Sequence, residues 1–268
     1  MSAPVISVRD LTVRYGSHQV LNGVNLEVER GEVMVLLGGS GSGKSTMLRQ
    51  IIGLDRPFSG TVYVQGIDIN HCSPQELKRV RRTMGVAFQE SALFNSLSIE
   101  ENVALPLREL TTLADPVIEI MVYMSLAAVG LAEVGKQMPQ ELSGGMKKRA
   151  AVARAIALGP EILIFDEPSA GLDPIVAAAL DELILFLKRA FQMTILVVTH
   201  EMASAFRIAD RVAMLFHGEL IAVDKKESFQ ASTDPRIRQF LDRRPDQMAD
   251  SAAVQHRFRE LAGLTETT

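Results

Sequence analysis

The 268-residue chain has a single cysteine, Cys72, so it can form no internal disulfide and is expected in a reducing compartment. It has no stretch approaching the ~18 apolar residues that a membrane-crossing helix needs. The nearest, IMVYMSLAAVGLA at 120–132, is too short and follows Asp115, Pro116 and Glu119. Positive charge is not in excess either. The formal net charge is −4, so no global basic field points to a nucleic acid partner, and none is expected. The N-terminal MSAPVISVRDLTVRYG lacks the basic region and apolar core of a secretory signal. Repeats and low-complexity linkers are missing too. With 47% hydrophobic and 22% charged residues, the composition is that of an ordinary folded protein, expected to be soluble and cytoplasmic.

Length alone allows one large domain or two small ones. In GVNLEVERGE, Val24, Leu26 and Val28 alternate with Asn25, Glu27 and Glu29, the period of a half-buried strand. EVMVLLG (32–38) is a continuous apolar run ending in glycines, as a buried parallel strand would be. TVYVQG (61–66) and MGVAFQ (84–89) read as further strands. From about 91 to 157 the pattern turns helical; strands return at 161–167 and 193–200, separated by a helical 175–191. The expectation is an α/β core interrupted by a helical insert. After about Lys225 the chain carries more charge of both signs, and Val254, Phe258 and Leu261 fall at helical spacing. That stripe fits packing on its own domain or on a partner equally well. Lys78-Arg79-Val80-Arg81-Arg82 reads as a solvated helix face, or as a surface for lipid headgroups or a partner.

Gly38-Gly39-Ser40-Gly41-Ser42-Gly43-Lys44-Ser45 matches the phosphate loop GxxxxGK[ST] and extends to Thr46; a strand precedes it and a helix follows, as the motif requires. Its glycines let backbone N–H groups converge on phosphates, Lys44 neutralises the β and γ groups, and the Ser45 hydroxyl suits Mg²⁺. ILIFDE (162–167) drives four apolar residues into the core and delivers Asp166 and Glu167 at a strand's carboxyl end, where open α/β sheets bind ligands. Asp166 is placed to hold Mg²⁺ and Glu167 to polarise an attacking water. PQELSGGMKKRAAVARA (139–155) poses a question. Ser143, Gly144 and Gly145 open an alanine-rich helix whose start is crowded by Lys147, Lys148 and Arg149, although helix N-termini are already partly positive; a docked anion would account for it. Gln89, His200 and Tyr15 say less. Each sits where it could touch, respectively, Mg²⁺ or its water, a γ-phosphate, and an adenine ring. Taken singly they are equally a surface amide, a structural histidine and a core aromatic.

In this order, Tyr15, GGSGSGKST, Gln89, LSGGM, ILIFDE, SAGLD and His200 resemble the ATP-binding subunits of ABC transporters over roughly residues 5–225. The resemblance implies an α/β P-loop NTPase core of RecA-like type, with an N-terminal antiparallel β-subdomain, a helical subdomain inserted at about 91–157, and a C-terminal extension at 226–268 that contacts a second subunit or partner. It implies ATP and Mg²⁺ as ligands, and a head-to-tail homodimer in which Leu142, Ser143, Gly144, Gly145 and Met146 of one chain cap the ATP held by Lys44 of the other. Asp173 would align the two centres. Met146 departs from the glutamine most common in the family. Segments 88–107, 141–175 and 234–242 are similar to the subgroup that energises phospholipid traffic between the inner and outer membranes and serves Mce-type lipid transporters. That likeness implies an integral membrane permease, a periplasmic Mce-domain lipid-binding protein, a small cytoplasmic STAS-domain protein, and a peripheral position on the cytoplasmic side of the inner membrane. The same engine with another small solute as cargo is the alternative. A second cassette or long coiled coil, as in ABC ATPases of DNA repair and translation, is missing, and a P-loop kinase would leave LSGG and His200 unexplained.

Overall fold

Two sheets organise the chain, whose computed structural model describes residues 3–244. The Val254, Phe258 and Leu261 stripe lies outside the described residues. β1 (Ile6–Tyr15), β2 (His18–Val28), β4 (Ser59–Val64) and β5 (Ile67–Asp68) form an antiparallel sheet in the order β2-β1-β4-β5. The period-two reading of β2 holds: Val24, Leu26 and Val28 are buried, Asn25 and Glu27 exposed.

The second sheet contains β3 (Val33–Leu37), β6 (Met84–Ala87), β7 (Ile162–Asp166), β8 (Thr194–Thr199), β9 (Arg211–Phe216) and β10 (Glu219–Lys225), in the order β10-β9-β3-β8-β7-β6. All neighbours are parallel except β10, which returns antiparallel to β9. Every residue of β3 is fully buried, which is why it reads as an unbroken apolar run; each such side chain contributes about 1.5–3 kcal/mol by burial. The β9–β10 hairpin was not anticipated from the sequence. Its signal is His217-Gly218 between two apolar runs, both residues at positive φ, 47° and 81°.

Helix α1 (Lys44–Ile51) leaves β3, and α2 (Pro74–Arg82) leads into β6. Between β6 and β7 the chain forms α3 (Ile99–Leu110), α4 (Asp115–Ala128) and α5 (Gly144–Ile156), with single 3₁₀ turns at Ala132–Val134 and Pro139–Glu141. α6 (Pro174–Phe191) joins β7 to β8, and α7 (Met202–Ile208) joins β8 to β9. Side-chain caps fix the starts: Ser73 and Ser98 form reciprocal capping boxes with Glu76 and Glu101, and Ser143 and Asp173 cap α5 and α6. The basic run of 78–82 lies on the solvated face of α2, where Arg81 ties to the Ile52 and Gly53 carbonyls.

The chain divides into two compact units. The first, Met1–Phe229, carries both sheets. The second begins at Gln230; its described part holds α9 (Pro235–Leu241), capped by Asp234. A short α8 (Lys226–Gln230) precedes it.

Candidate functional site

Parallel strands put their carboxyl ends on one edge of the sheet, and register aligns them. Leu37 pairs with Thr199 and Asp166 with Val198, so the phosphate loop, the Asp166–Glu167 pair and His200 leave the sheet side by side. Gly43, at φ 104°, starts α1 without a side-chain cap, so the first-turn N–H groups remain available to an anion. At this φ any side chain would be strained, and a Cβ at Gly43 would stand 2.6 Å from Leu21 Cδ2 and 3.2 Å from the Val20 carbonyl, so the position favours glycine. Lys44 is buried; its Nζ donates to the Gly38 and Gly39 carbonyls at 2.9 Å each and lies 3.8 Å from Glu167 Oε1. Burial lowers its pKa, opposed by the charges of Glu167 and Asp166. Ser40, Gly41 and Ser45 are exposed, Gly39 and Thr46 half-buried, Ser42 buried.

Asp166 Oδ1 is buried without a hydrogen-bond partner. Burial, followed by the neighbouring charge of Glu167, pushes the Asp166 carboxyl above its usual range, and Lys44 and Lys148 partly offset this. A buried, unpartnered carboxylate oxygen calls for a cation. With the Ser45 hydroxyl and Gln89 amide, it offers the all-oxygen chemistry that suits a small hard divalent ion. Glu167 is left-handed, at φ 48°. Its N–H donates to Val198 O at 2.8 Å, and its Oε2 accepts the His200 backbone N–H at 3.3 Å and meets His200 Nδ1 at 2.9 Å. The sequence suggested separate tasks for Glu167 and His200; the fold puts them in contact.

Gln89 is exposed in a turn two residues past β6, so the strand expected over 84–89 stops at Ala87. Ser91 and Ala92 follow at φ 61° and 49°. Arg154 holds both carbonyls (2.9 Å to Ser91, 2.6 Å to Ala92), and the fully buried Asn102 organises the segment behind them through Phe94, Leu97 and Ser98.

At the start of α5, Ser143 and Gly144 are exposed, Leu142 is buried, and the Ser143 hydroxyl oxygen accepts from Met146 N at 3.3 Å. A Cβ at Gly145 would fall 2.5 Å from Val176 Cγ1, so this glycine lets α5 approach α6. Asp173 caps α6 by accepting from Ile175 N and Val176 N, and Ile175 itself is 82% exposed. Of the three cations that the sequence places at the start of α5, Lys148 and Arg149 bond carbonyls of their own chain. Lys148 reaches back to Gln89 O (2.5 Å) and Glu167 O (3.2 Å), and Arg149 to Val129 O (3.4 Å). Tyr15 is not a core aromatic: it is half-exposed, and its hydroxyl donates to Asp55, which Arg49 holds with two bonds.

Lys44, Asp166, Glu167 and His200 thus form one cluster, reached from the Gln89 turn through Lys148. Gly144 stands beside Leu172, just before α6, and Gly145 beside Val176 in its first turn. Lys148, Arg154 and Asn102 were missed as functional candidates. The cations Lys147, Lys148 and Arg149, which the sequence assigns to a docked anion, were the available signal for Lys148; Arg154 has no such local signal.

Residues 21–170 match the family described as ABC transporter. The chain is 44% identical over 239 residues to the probable ribonucleotide transport ATP-binding protein mkl of Mycobacterium tuberculosis, covering 89% of this chain and 67% of that one. It is 42% identical over 240 residues to the intermembrane phospholipid transport system ATP-binding protein MlaF of Escherichia coli, covering 90% and 89%. Among solved structures it resembles dimeric MJ0796, a bacterial ABC transporter cassette, at TM-score 0.76 and 34% identity over 82% of this chain and 98% of that one. A post-hydrolysis state of the same cassette, bound to ADP and Pi, matches at TM-score 0.75 and 33% identity over the same shares. The family match runs through the phosphate loop, the 143–145 corner and Glu167 alike, and the chain belongs to the ABC transporter family as a subunit that binds and hydrolyses ATP.

Proposed function

We propose that two copies of this chain form the motor of a transporter that moves phospholipid between the inner and outer membranes and so maintains outer-membrane lipid asymmetry. The observation that carries this reading is the 42% identity to MlaF, which spans nine-tenths of both chains.

In the working cycle Tyr15 stacks on adenine while the backbone of Gly38, Gly39, Ser40, Gly41, Ser42 and Gly43 wraps the phosphates, with Ser45 and Thr46 at the helix start. Lys44 turns from the Gly38 and Gly39 carbonyls to the β and γ groups. Ser45, Gln89 and Asp166 would hold Mg²⁺, which supplies charge neutralisation at those phosphates. Glu167 accepts the proton of the attacking water, and His200 donates to the γ-phosphate. Leu142 to Met146 of the second copy close the site through Ser143, Gly144 and Gly145, and Asp173 aligns the two centres. The exposure of Ser143, Gly144 and Ile175, which would otherwise face solvent, supports this closure, as does the dimeric state of MJ0796.

Closing and reopening of the pair drives an integral membrane permease. A groove lined by Phe88, Phe94, Leu105 and Pro106, beside the Gln89 turn, is the surface that would receive it. α4 exposes Ile120, Tyr123 and Met124, an apolar face available to the STAS-domain protein. The periplasmic Mce-domain protein completes the assembly on the far side. The subunit sits peripherally on the cytoplasmic face of the inner membrane; no helix among the described residues is long and apolar enough to cross a membrane. Residues 5–225, with 91–157 as helical insert, form the ATPase domain in this reading, and 226–268 reach the second subunit or a partner.

The name of the mycobacterial relatives favours a second reading, an importer of a small solute such as a ribonucleotide. Purification of the complex from its native membrane in mild detergent separates the two. Co-purifying permease, Mce-domain and STAS-domain proteins with bound phospholipid are expected. A soluble solute-binding protein and no lipid would overturn the lipid assignment.

A further inference from the structure

We infer that Lys148 is a positioning residue that ties the backbone of Glu167 and the backbone of the Gln89 turn to helix α5, so that the three move as one body. The inference rests on the roles given above to Glu167 and Gln89.

Lys148 Nζ donates to Gln89 O at 2.5 Å and to Glu167 O at 3.2 Å, two carbonyls from segments that follow different strands, β6 and β7. An ammonium has three donors and no acceptor, and leaving it half-buried is costly unless carbonyls or carboxylates take those protons. Burial does lower the Lys148 pKa, while the charges of Glu90, Glu167 and Asp166 pull it back up. The ammonium therefore stays beside these groups because both carbonyls and the acidic pair hold it there.

Of the two, the Glu167 carbonyl belongs to a left-handed residue whose backbone orientation aims its carboxylate. The other, that of Gln89, precedes the left-handed Ser91 and Ala92, whose carbonyls Arg154 grips from the same helix. α5 thus holds the Gln89 turn at two points and the catalytic loop at one, and it begins at the cap residue Ser143. A displacement of the turn by anything seated on the Phe88–Phe94 groove reaches Glu167 and the Ser143 corner together.

The test compares Lys148→Met, Lys148→Arg and Glu167→Gln in the full chain assembled with its membrane partner, reading kcat, KM for ATP and thermal melting. Lys148→Met is expected to lower kcat about 10- to 10²-fold, the penalty of misplacing a catalytic group by about an ångström, with KM within about threefold and melting unchanged. Lys148→Arg, which keeps a cation with several donors, should return most of the rate. Wild-type kcat in Lys148→Met, a loss confined to KM, or equal damage in the Met and Arg variants would overturn the tether. Should Lys148→Met fail to fold, Lys148→Gln, whose amide can still reach one carbonyl, is read by the same criteria. Glu167→Gln separates the two levels: if it hydrolyses ATP normally, the reading of the site itself falls, whereas a dead Glu167→Gln beside a fully active Lys148→Met removes only the tether.

Discussion

A cross-chain centre makes a quantitative demand on mixed mutants. Lys44→Ala removes the phosphate-neutralising ammonium together with its two bonds to the Gly38 and Gly39 carbonyls, while Glu167 keeps its contacts to His200 and Val198. Ser143→Arg places a bulky cation at an exposed corner and deletes the cap of α5, at a cost of about 0.5–2 kcal/mol, well inside the 5–15 kcal/mol that typically holds a domain together. Both variants should fold, and each homodimer should be inactive because both of its centres lack one half. Mixed in equal amounts, about half of the dimers pair one copy of each variant. Such a dimer has one centre built from an intact Lys44 and an intact Ser143, and one centre damaged on both sides. Recovery should approach about a quarter of the wild-type rate if the centres act independently, and less if each needs the other. The assay is phosphate release from affinity-tagged mixtures in which heterodimer content is measured by sequential purification on two tags. Folded, verified heterodimers with no activity above the parent variants, while wild-type/Lys44→Ala heterodimers, which also carry one intact centre, stay active, would refute the head-to-tail arrangement.

Further outcomes follow from single residues. Glu167→Gln should slow hydrolysis by ~10²–10⁴-fold, the range for losing a general base, while ATP still binds; an unchanged turnover removes Glu167 from that role. Gly145→Val adds a branched side chain where even a Cβ would lie 2.5 Å from Val176 Cγ1, so Val176 must turn or α5 and α6 must part. Both melting temperature and ATPase should fall, and a co-substitution Val176→Ala should restore part of each; no rescue would show that this contact does not set the spacing. Asp181 is buried beside the Ser204 hydroxyl, which donates to it, and burial pushes its pKa up; Glu182 and Glu201 add to the shift, Ser204 and Arg207 oppose it. Because the native pKa lies above the unfolded one, the native state is penalised as pH rises and the group ionises. Asp181→Asn, which keeps the acceptor, should therefore gain in melting temperature relative to wild type as the pH rises above about 4, the unfolded value; a difference that does not change with pH would contradict this.

How much of this was legible depended on whether a residue's partner is written in the sequence. The phosphate loop and the Asp166–Glu167 pair are contiguous strings that follow apolar strands, and their chemistry is local, so both were readable at once. Gln89, His200 and Tyr15 became meaningful only through their order along the chain, since nothing beside them in sequence requires a function. Lys148 and Arg154 were opaque for a different reason. Their acceptors are main-chain carbonyls 19 to 63 residues away, and any sequence supplies carbonyls. The same holds for the left-handed Ser91 and Ala92, which no glycine or asparagine announces; Arg154 and Asn102 hold that segment through tertiary bonds, and propensity gives way to them.

Glu167 shows the same override at the centre of the site. A left-handed backbone is unfavourable for glutamate, and the following Pro168 restricts it further by disfavouring compact conformations of the residue before it. The strain, on the order of 1–3 kcal/mol, persists because separate elements hold every polar group of the residue. β8 takes its N–H through Val198, the turn after β8 meets its carboxylate through His200, and α5 takes its carbonyl through Lys148. One of these anchors lies on the sheet that carries the phosphate loop, one in the turn that leaves that sheet, and the third on the helix that Ser143 caps. A glutamate held in this way is in its strained geometry only while helix and sheet are in register. On the tether inferred for Lys148 and the closure proposed above, the placement of α5 governs two things at once: what the 143–145 corner offers to a second copy, and how the carboxylate is aimed at home.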